Sequence, residues 1–180
     1  MAAIALQGLS KTYRSRAHPR GLLALDDVSL SVADREFICL LGPSGCGKTT
    51  VLNVLAGLDL DYRGDVAIDG RPLPRNGAYP FRIGYVFQEP RLLPWLTVRR
   101  NLHFALGSVG VPREEREAQT RTWLGRVGLA DFAEAHPHEL SGGMQQRASI
   151  ARAFAVEPQL LLMDEPFSGL DELTARGMRE

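Results

Sequence analysis

An α/β fold, with a largely parallel sheet and a set of helices, is what this 180-residue sequence predicts. Three observations predict it. Two continuous apolar runs, Phe37-Ile38-Cys39-Leu40-Leu41 and Leu160-Leu161-Leu162-Met163, have the length and composition of strands buried on both faces. Each passes straight into a loop of chemistry-bearing residues, and the first such loop opens a helix, with Val51, Leu52, Leu55 and Leu58 at helical spacing. Between the two runs, Val98 to Val127 turns to a helical pattern. Strands mixed with helices in this order argue a parallel sheet, because parallel neighbours need crossover connections.

Each element follows from local pattern. Ile4 to Leu9 and Val28 to Val32 alternate as strands with one exposed face. Phe37 to Leu41 is the buried strand, and the helix runs from Thr49 to Leu58. Val66 to Ile68 and Ile83 to Phe87 are further short strands, separated by a Pro-, Gly- and Arg-rich connection from Gly70 to Pro80. Arg113 to Gln119 is charged and polar, as a solvated helix face is. Ser141 stands as the N-cap of an Ala-rich helix ending near Phe154. There are no internal repeats and no low-complexity tracts.

Composition bounds the function. The length suits one domain with a sizeable core. A formal net charge of 0 leaves no electrostatic footprint for nucleic acid or an anionic membrane surface. No apolar run approaches the roughly 18 residues that cross a bilayer. Met1 to Leu6 lacks the basic region and long apolar stretch of a secretory signal, so none is expected. Cys39 in a buried strand and Cys46 in a loop do not form a disulfide framework, and a reducing compartment suits them.

The loop Gly42-Pro43-Ser44-Gly45-Cys46-Gly47-Lys48-Thr49, followed by Thr50, fits G-x-x-x-x-G-K-[ST] between strand and helix. Its glycines allow the backbone to approach an anion closely, and the following helix points its positive end at that anion. Lys48 can then reach the β- and γ-phosphates of a nucleotide, and Thr49 can ligate Mg²⁺. Lys11 and Lys48 are the only lysines among 21 basic residues, so position 48 reads as a point charge suited to phosphate. The run ending in Asp164-Glu165 places two carboxylates at the end of an apolar strand, which is costly without a cation. Mg²⁺ held by Asp164 with Thr49 is the natural candidate. Glu165 is then placed to orient or deprotonate an attacking water. In Leu140-Ser141-Gly142-Gly143-Met144-Gln145-Gln146-Arg147, two glycines at a helix entrance make a second anion site. Two such sites and one triphosphate suggest two chains facing head to tail.

The order and spacing of Gly42–Thr49, Leu140–Arg147, Leu160–Glu165 and Ser168-Gly169-Leu170-Asp171 resemble the ATP-binding cassette (ABC) ATPases over the whole chain. The resemblance implies a P-loop, RecA-like core at about 1–88 and 157–180, a helical subdomain inserted at about 89–156, and an N-terminal antiparallel β subdomain. It implies that Tyr13 stacks on adenine, that Gln88 senses the γ-phosphate and metal, and that Ser141, Gly142 and Gly143 meet the ATP of the other subunit. Asp171 would lie at the dimer seam. Met144 departs from the usual glutamine at the fifth signature position. Phe87-Gln88-Glu89-Pro90-Arg91-Leu92-Leu93-Pro94-Trp95 is similar to the nitrate, alkanesulfonate and taurine importer ATPases, with Leu92, Leu93 and Trp95 near a groove for a membrane partner's helix.

That resemblance implies an ATP-hydrolysing homodimer, peripheral on the cytoplasmic face of the cell membrane. Its partners would be transmembrane permease subunits and a solute-binding protein, and nucleic acid would not be one. The alternatives are a nucleotide-binding module without turnover and a soluble ABC ATPase outside transport. ABC ATPases also carry a switch histidine roughly 30 residues past the catalytic glutamate; this sequence ends 15 residues past Glu165, and His18, His103, His136 and His138 do not match that position. The strand bearing that histidine lies, in the family, between the two apolar strands. The 180-residue chain alone is therefore expected to aggregate and to hydrolyse ATP negligibly.

Overall fold

Alternation along β1 (Ile4–Tyr13) organises the first sheet: Ile4 and Leu6 are buried on one face of the strand, and Leu9 is buried beyond the register shift that follows Leu6. The computed structural model describes residues 3–14, 16, 19–74, 79 and 81–166. The chain divides into two compact units, Met1–Phe81 and Arg82–Glu180.

In the first unit β1 lies between β2 (Leu22–Val32) and β3 (Arg63–Ile68), and β4 (Arg71–Pro72) closes the order β2-β1-β3-β4. Every pairing in this sheet is antiparallel. Ile4 lies opposite both Val32 and Ile68, so the three strands share one apolar layer with Leu25 and Val66. The register shifts around Gly8, whose φ of 61° is a conformation that favours glycine. Pro72 has no N–H for a ladder, and it sits on the edge strand where none is needed. Helix α1 (Lys48–Leu55) buries Val51, Val54 and Leu55. It stops short of Leu58, which is exposed, because Gly57 takes a left-handed φ of 69°.

Two expectations are corrected here. Phe37 to Leu41 is not a strand: no ladder forms among the described residues, and Phe37 and Leu41 are 81% and 88% exposed. Cys39 is exposed with them. An apolar run states a demand for burial, but a strand also needs a neighbour to take its N–H and C=O groups. The sheet that is present in this unit is antiparallel, and the parallel pairing belongs to the second unit.

There β5 (Ile83–Val86) pairs in parallel with β6 (Leu160–Met163), from Ile83 opposite Leu160 to Val86 opposite Met163. Between them in sequence lie α2 (Val98–Ser108), α3 (Arg113–Arg126) and α4 (Gly142–Ala155). Val98, Leu102, Leu106, Leu124, Leu129, Ala148 and Ala151 form their shared core. Helix α3 buries only Thr120 and Leu124, so the charged stretch from Arg113 is a solvated face. Helix α4 is alanine-rich because it is crowded on several sides: Ala148, Ala151, Ala153 and Ala155 are all buried. A Cβ at Gly84 of β5 would lie 2.6 Å from the Ala153 carbonyl, so only glycine allows that approach.

Candidate functional site

The phosphate loop is shaped from its helix side. Gly45 and Gly47 have φ of 80° and 98°, and Gly47 is the N-cap of α1 without a side-chain cap. A Cβ on Gly47 would meet the Ala24 carbonyl at 2.6 Å and Leu25 Cδ2 at 2.7 Å, so β2 holds the loop close. The start of α1 carries no acidic residue, which leaves its positive end without a neutralising carboxylate in the first turn. Lys48 Nζ lies over the loop, donating to the carbonyls of Gly42 at 2.9 Å and Pro43 at 3.0 Å. Pro43, Ser44, Cys46 and Thr49 are exposed, while Thr50 is buried under the helix. An exposed loop of this shape, with a lysine over it, is built to surround a phosphate.

Tyr13 stands at the end of β1, half-exposed. Its ring faces the ammonium of Lys11, 4.8 Å from the centroid. Lys11 is itself buried and hydrogen-bonds Asp59 Oδ1 at 2.7 Å and the Asp61 carbonyl. Burial would lower the Lys11 pKa, but the hydrogen bond and charge of Asp59, with Asp61, outweigh it and leave it raised. Burial likewise pushes the Asp59 carboxyl up, and bonds from Lys11, Tyr13 and the Asp61 backbone bring it below the usual range.

In the second unit the parallel pair delivers its residues side by side. The Asp164 N–H extends the ladder to the Val86 carbonyl at 2.9 Å. One residue on, Gln88 Nε2 donates to Glu165 Oε2 at 3.1 Å. Glu165 has a φ of 44°, an uncommon conformation outside glycine that turns its side chain out of strand alternation. Asp164 is buried, and it forms no ion pair among the described residues. A buried carboxylate without a cation suits an oxygen ligand of a hard divalent ion. Burial, reinforced by the Asp164 charge against the counter-effect of Arg91, pushes the Tyr85 hydroxyl up to about 12, so it stays neutral.

Ser141 caps α4, its Oγ accepting the Met144 N–H at 3.3 Å. Ser141 and Gly142 are exposed, and a Cβ at Gly142 would meet nothing within 4 Å. Asp171 lies outside the described residues. The structure thus brings Gln88 and Glu165 together beside Asp164, whereas Lys48, Thr49 and Tyr13 belong to the first unit. The roles of Lys11 and Asp59 around Tyr13 escape a sequence reading, because nothing in the spacing of residues 11, 13 and 59 joins them. Asn101 escapes it too. Wholly buried, its two amide hydrogens are shared among the Leu93, Leu96 and Thr97 carbonyls and its oxygen accepts from the Leu93 N–H, bracing the segment that carries the exposed Trp95.

Residues 25–168 match the model of the ABC transporter family, which takes in the phosphate loop, the Ser141 helix and the Asp164 strand exit. The chain is a member of the ABC transporter family. Among its relatives is the aliphatic sulfonates import ATP-binding protein SsuB 2 of Burkholderia cenocepacia, 51% identical over 83% of this chain and 53% of that protein. The taurine import ATP-binding protein TauB of Pseudomonas entomophila is 44% identical over the whole chain and 67% of its own length. Across such curated relatives this chain spans between 52% and 67% of their length. Among solved structures, a dimer of the ATP-binding cassette MJ0796 in a post-hydrolysis state, bound to ADP and Pi, matches with a TM-score of 0.84 and 34% identity. That match covers 97% of this chain and 79% of the other. The fold class is therefore the α/β P-loop cassette of this family, and no helix among the described residues is long and apolar enough to cross a membrane.

Proposed function

We propose that this chain supplies the ATP-binding and ATP-hydrolysing machinery of an ABC importer for nitrate, a sulfonate, taurine or a similar small solute. The hydrogen bond between Gln88 and Glu165, at the exits of two parallel strands, carries the proposal. It sets a carboxylate where a general base is needed and a carboxamide where a phosphate and metal can be sensed. Lys48 and the amides after Gly47 bind the phosphates, and Tyr13 offers a face to adenine. Mg²⁺, when bound, neutralises phosphate charge, and Thr49, Gln88 and Asp164 would hold it. Ser141, Gly142 and Gly143 would face the ATP of a second copy, and Asp171 would lie at the dimer seam. The relatives' names, import ATP-binding proteins, support an importer; its partners would be permease subunits and a solute-binding protein, with this chain at the cytoplasmic face of the cell membrane. Residues 89–156 would be the helical subdomain set into the core.

Calorimetry with ATP and steady-state hydrolysis test this. Lys48→Ala should weaken ATP binding by about 10–150-fold, the loss of one charge-assisted contact worth about 1.5–3 kcal/mol. In a chain completed to the length of the family, Glu165→Gln should keep binding, abolish turnover and accumulate an ATP-bound dimer in light scattering. Unchanged affinity in the first variant or full turnover in the second overturns the assignment. Binding without hydrolysis in the parent would leave a nucleotide-binding module.

A further inference from the structure

Gln146 is 1% exposed, on the first turns of α4. Its Nε2 donates to the Phe87 carbonyl at 3.4 Å and to the Pro166 carbonyl at 3.0 Å. Phe87 immediately precedes Gln88, and Pro166 immediately follows Glu165. One carboxamide therefore ties together the two backbone segments whose side chains meet in the Gln88–Glu165 hydrogen bond. The donor count closes, since an NH₂ group has two hydrogens and two carbonyls take them. A buried amide is costly unless so bonded, and an apolar side chain of similar size would pack there without that cost. Packing alone does not explain a glutamine at 146. What it holds does.

The same helix begins at Ser141, whose hydroxyl caps it. Gln146 stands five residues on from Ser141, about 7.5 Å along the helix. The entrance of α4 and the two strand exits are thus linked through one side chain.

We infer that Gln146 is a positioning residue: it fixes the spacing of Gln88 and Glu165 and ties that spacing to the place of the Ser141-Gly142-Gly143 helix entrance, without touching nucleotide. This rests on the ATPase reading above, in which Glu165 is the base and Gln88 the sensor. A displacement of about 1 Å at a reacting group can cost on the order of 100-fold in rate, so loss of the tether should appear in turnover rather than in binding.

Gln146→Met keeps the volume and removes both donors. With parent and variant both carried in a chain extended to the length of its relatives, ATP affinity by calorimetry should stay within about twofold of the parent, while kcat falls at least about tenfold at unchanged KM. Hydrogen exchange followed by mass spectrometry gives a readout that needs no turnover. Exchange at the amides of the paired strand ends, the Asp164 N–H on the Val86 carbonyl among them, should quicken at least about tenfold, while Leu102 to Leu106 in the helical core keep the parent rate. If the methionine variant does not fold, Gln146→Asn keeps the donors but is too short to span both carbonyls, and the same split is expected. Parent-level kcat and parent-level exchange in the folded variant overturn the inference, as does faster exchange spread evenly into Leu102 to Leu106. A parent that binds no ATP refutes the ATPase reading instead, and the exchange measurement then decides the role of Gln146 by itself.

Discussion

Phe37–Leu41 and Leu160–Met163 are both unbroken apolar runs that feed a loop of functional residues, yet only the second is a strand. Leu160 and Leu162 are 8% and 4% exposed and pair residue by residue with β5. Phe37 and Leu41 lie open to water, without a ladder among the described residues. The two loops are correspondingly held in different ways. Asp164 and Glu165 are delivered by backbone hydrogen bonds from a neighbouring strand. The phosphate loop is held from its far side, by Gly47 against Ala24 and Leu25 and by the buried face of α1. Hydrophobicity alone does not tell these cases apart. A pairing partner does.

The sharpest way to break this contrast is to remove a buried side chain from the paired run. Leu162→Ala should cost about 2–5 kcal/mol, as for other fully packed leucines, measured as a shift in the denaturant midpoint at unchanged slope. A cost under about 1 kcal/mol would show β6 to be as loosely held as the first run.

Gly47→Ala tests the other half. Its φ of 98° is costly for an L-residue, and the new Cβ would press on the Ala24 carbonyl. Strain of this kind costs about 1–3 kcal/mol, and the forced displacement adds to it. Stability should fall, and ATP affinity should fall with it. Unchanged affinity would mean that the loop takes its shape without β2.

How much of this was legible in the sequence follows the same division. Features that depend on local chemistry read well. The Ser141 cap, the helix opened by Lys48 and the polar face from Arg113 need only their own neighbours, and the structure has them. The parallel strand ending at Asp164 also read well, since its apolar run has a partner in β5. Features that depend on distant pairing did not. Phe37–Leu41 carries the right composition for a strand but no ladder. Periodicity carries the helix after the loop to Leu58, whereas Gly57 ends it sooner. Lys11 with Asp59, and Gln146 with Phe87 and Pro166, join residues 48, 59 and 20 positions apart, which no spacing rule connects. Within the site, the contact between Gln88 and Glu165 was not legible, since 77 positions separate them.

In the first unit an ion pair adds to what loop packing provides. Lys11 on β1 holds Asp59 just beyond α1, and so anchors the far end of the phosphate-loop helix. The Asp59 carboxyl is lowered in the folded state, so its stabilisation is present above the ordinary carboxylate pKa of about 3.9 and is lost as pH falls through the folded value. Lys11 is raised, so its share is present below the ordinary pKa of about 10.4 and is lost as pH rises through the folded value. Stability from the pair should therefore be level through neutral pH and fall at both ends. Asp59→Asn should cost about 1.5–3 kcal/mol at neutral pH and flatten the acid side of the thermal-midpoint profile. An unchanged acid limb would assign the loss to other carboxylates.

The smallest expected effect is the most direct test of the contrast. Phe37 is 81% exposed, so Phe37→Ser removes a side chain that contributes little apolar burial to the fold. Surface substitutions of this kind change stability by about 0.5 kcal/mol or less. The serine variant should therefore unfold at the parent's denaturant midpoint. It should also be more soluble, because an exposed apolar run without a ladder among the described residues is a template for association between chains. A loss of about 2 kcal/mol or more, the size of a buried phenylalanine, would mean that Phe37 is covered in solution. The first run would then be packed like the second, and the difference between the two regions would vanish.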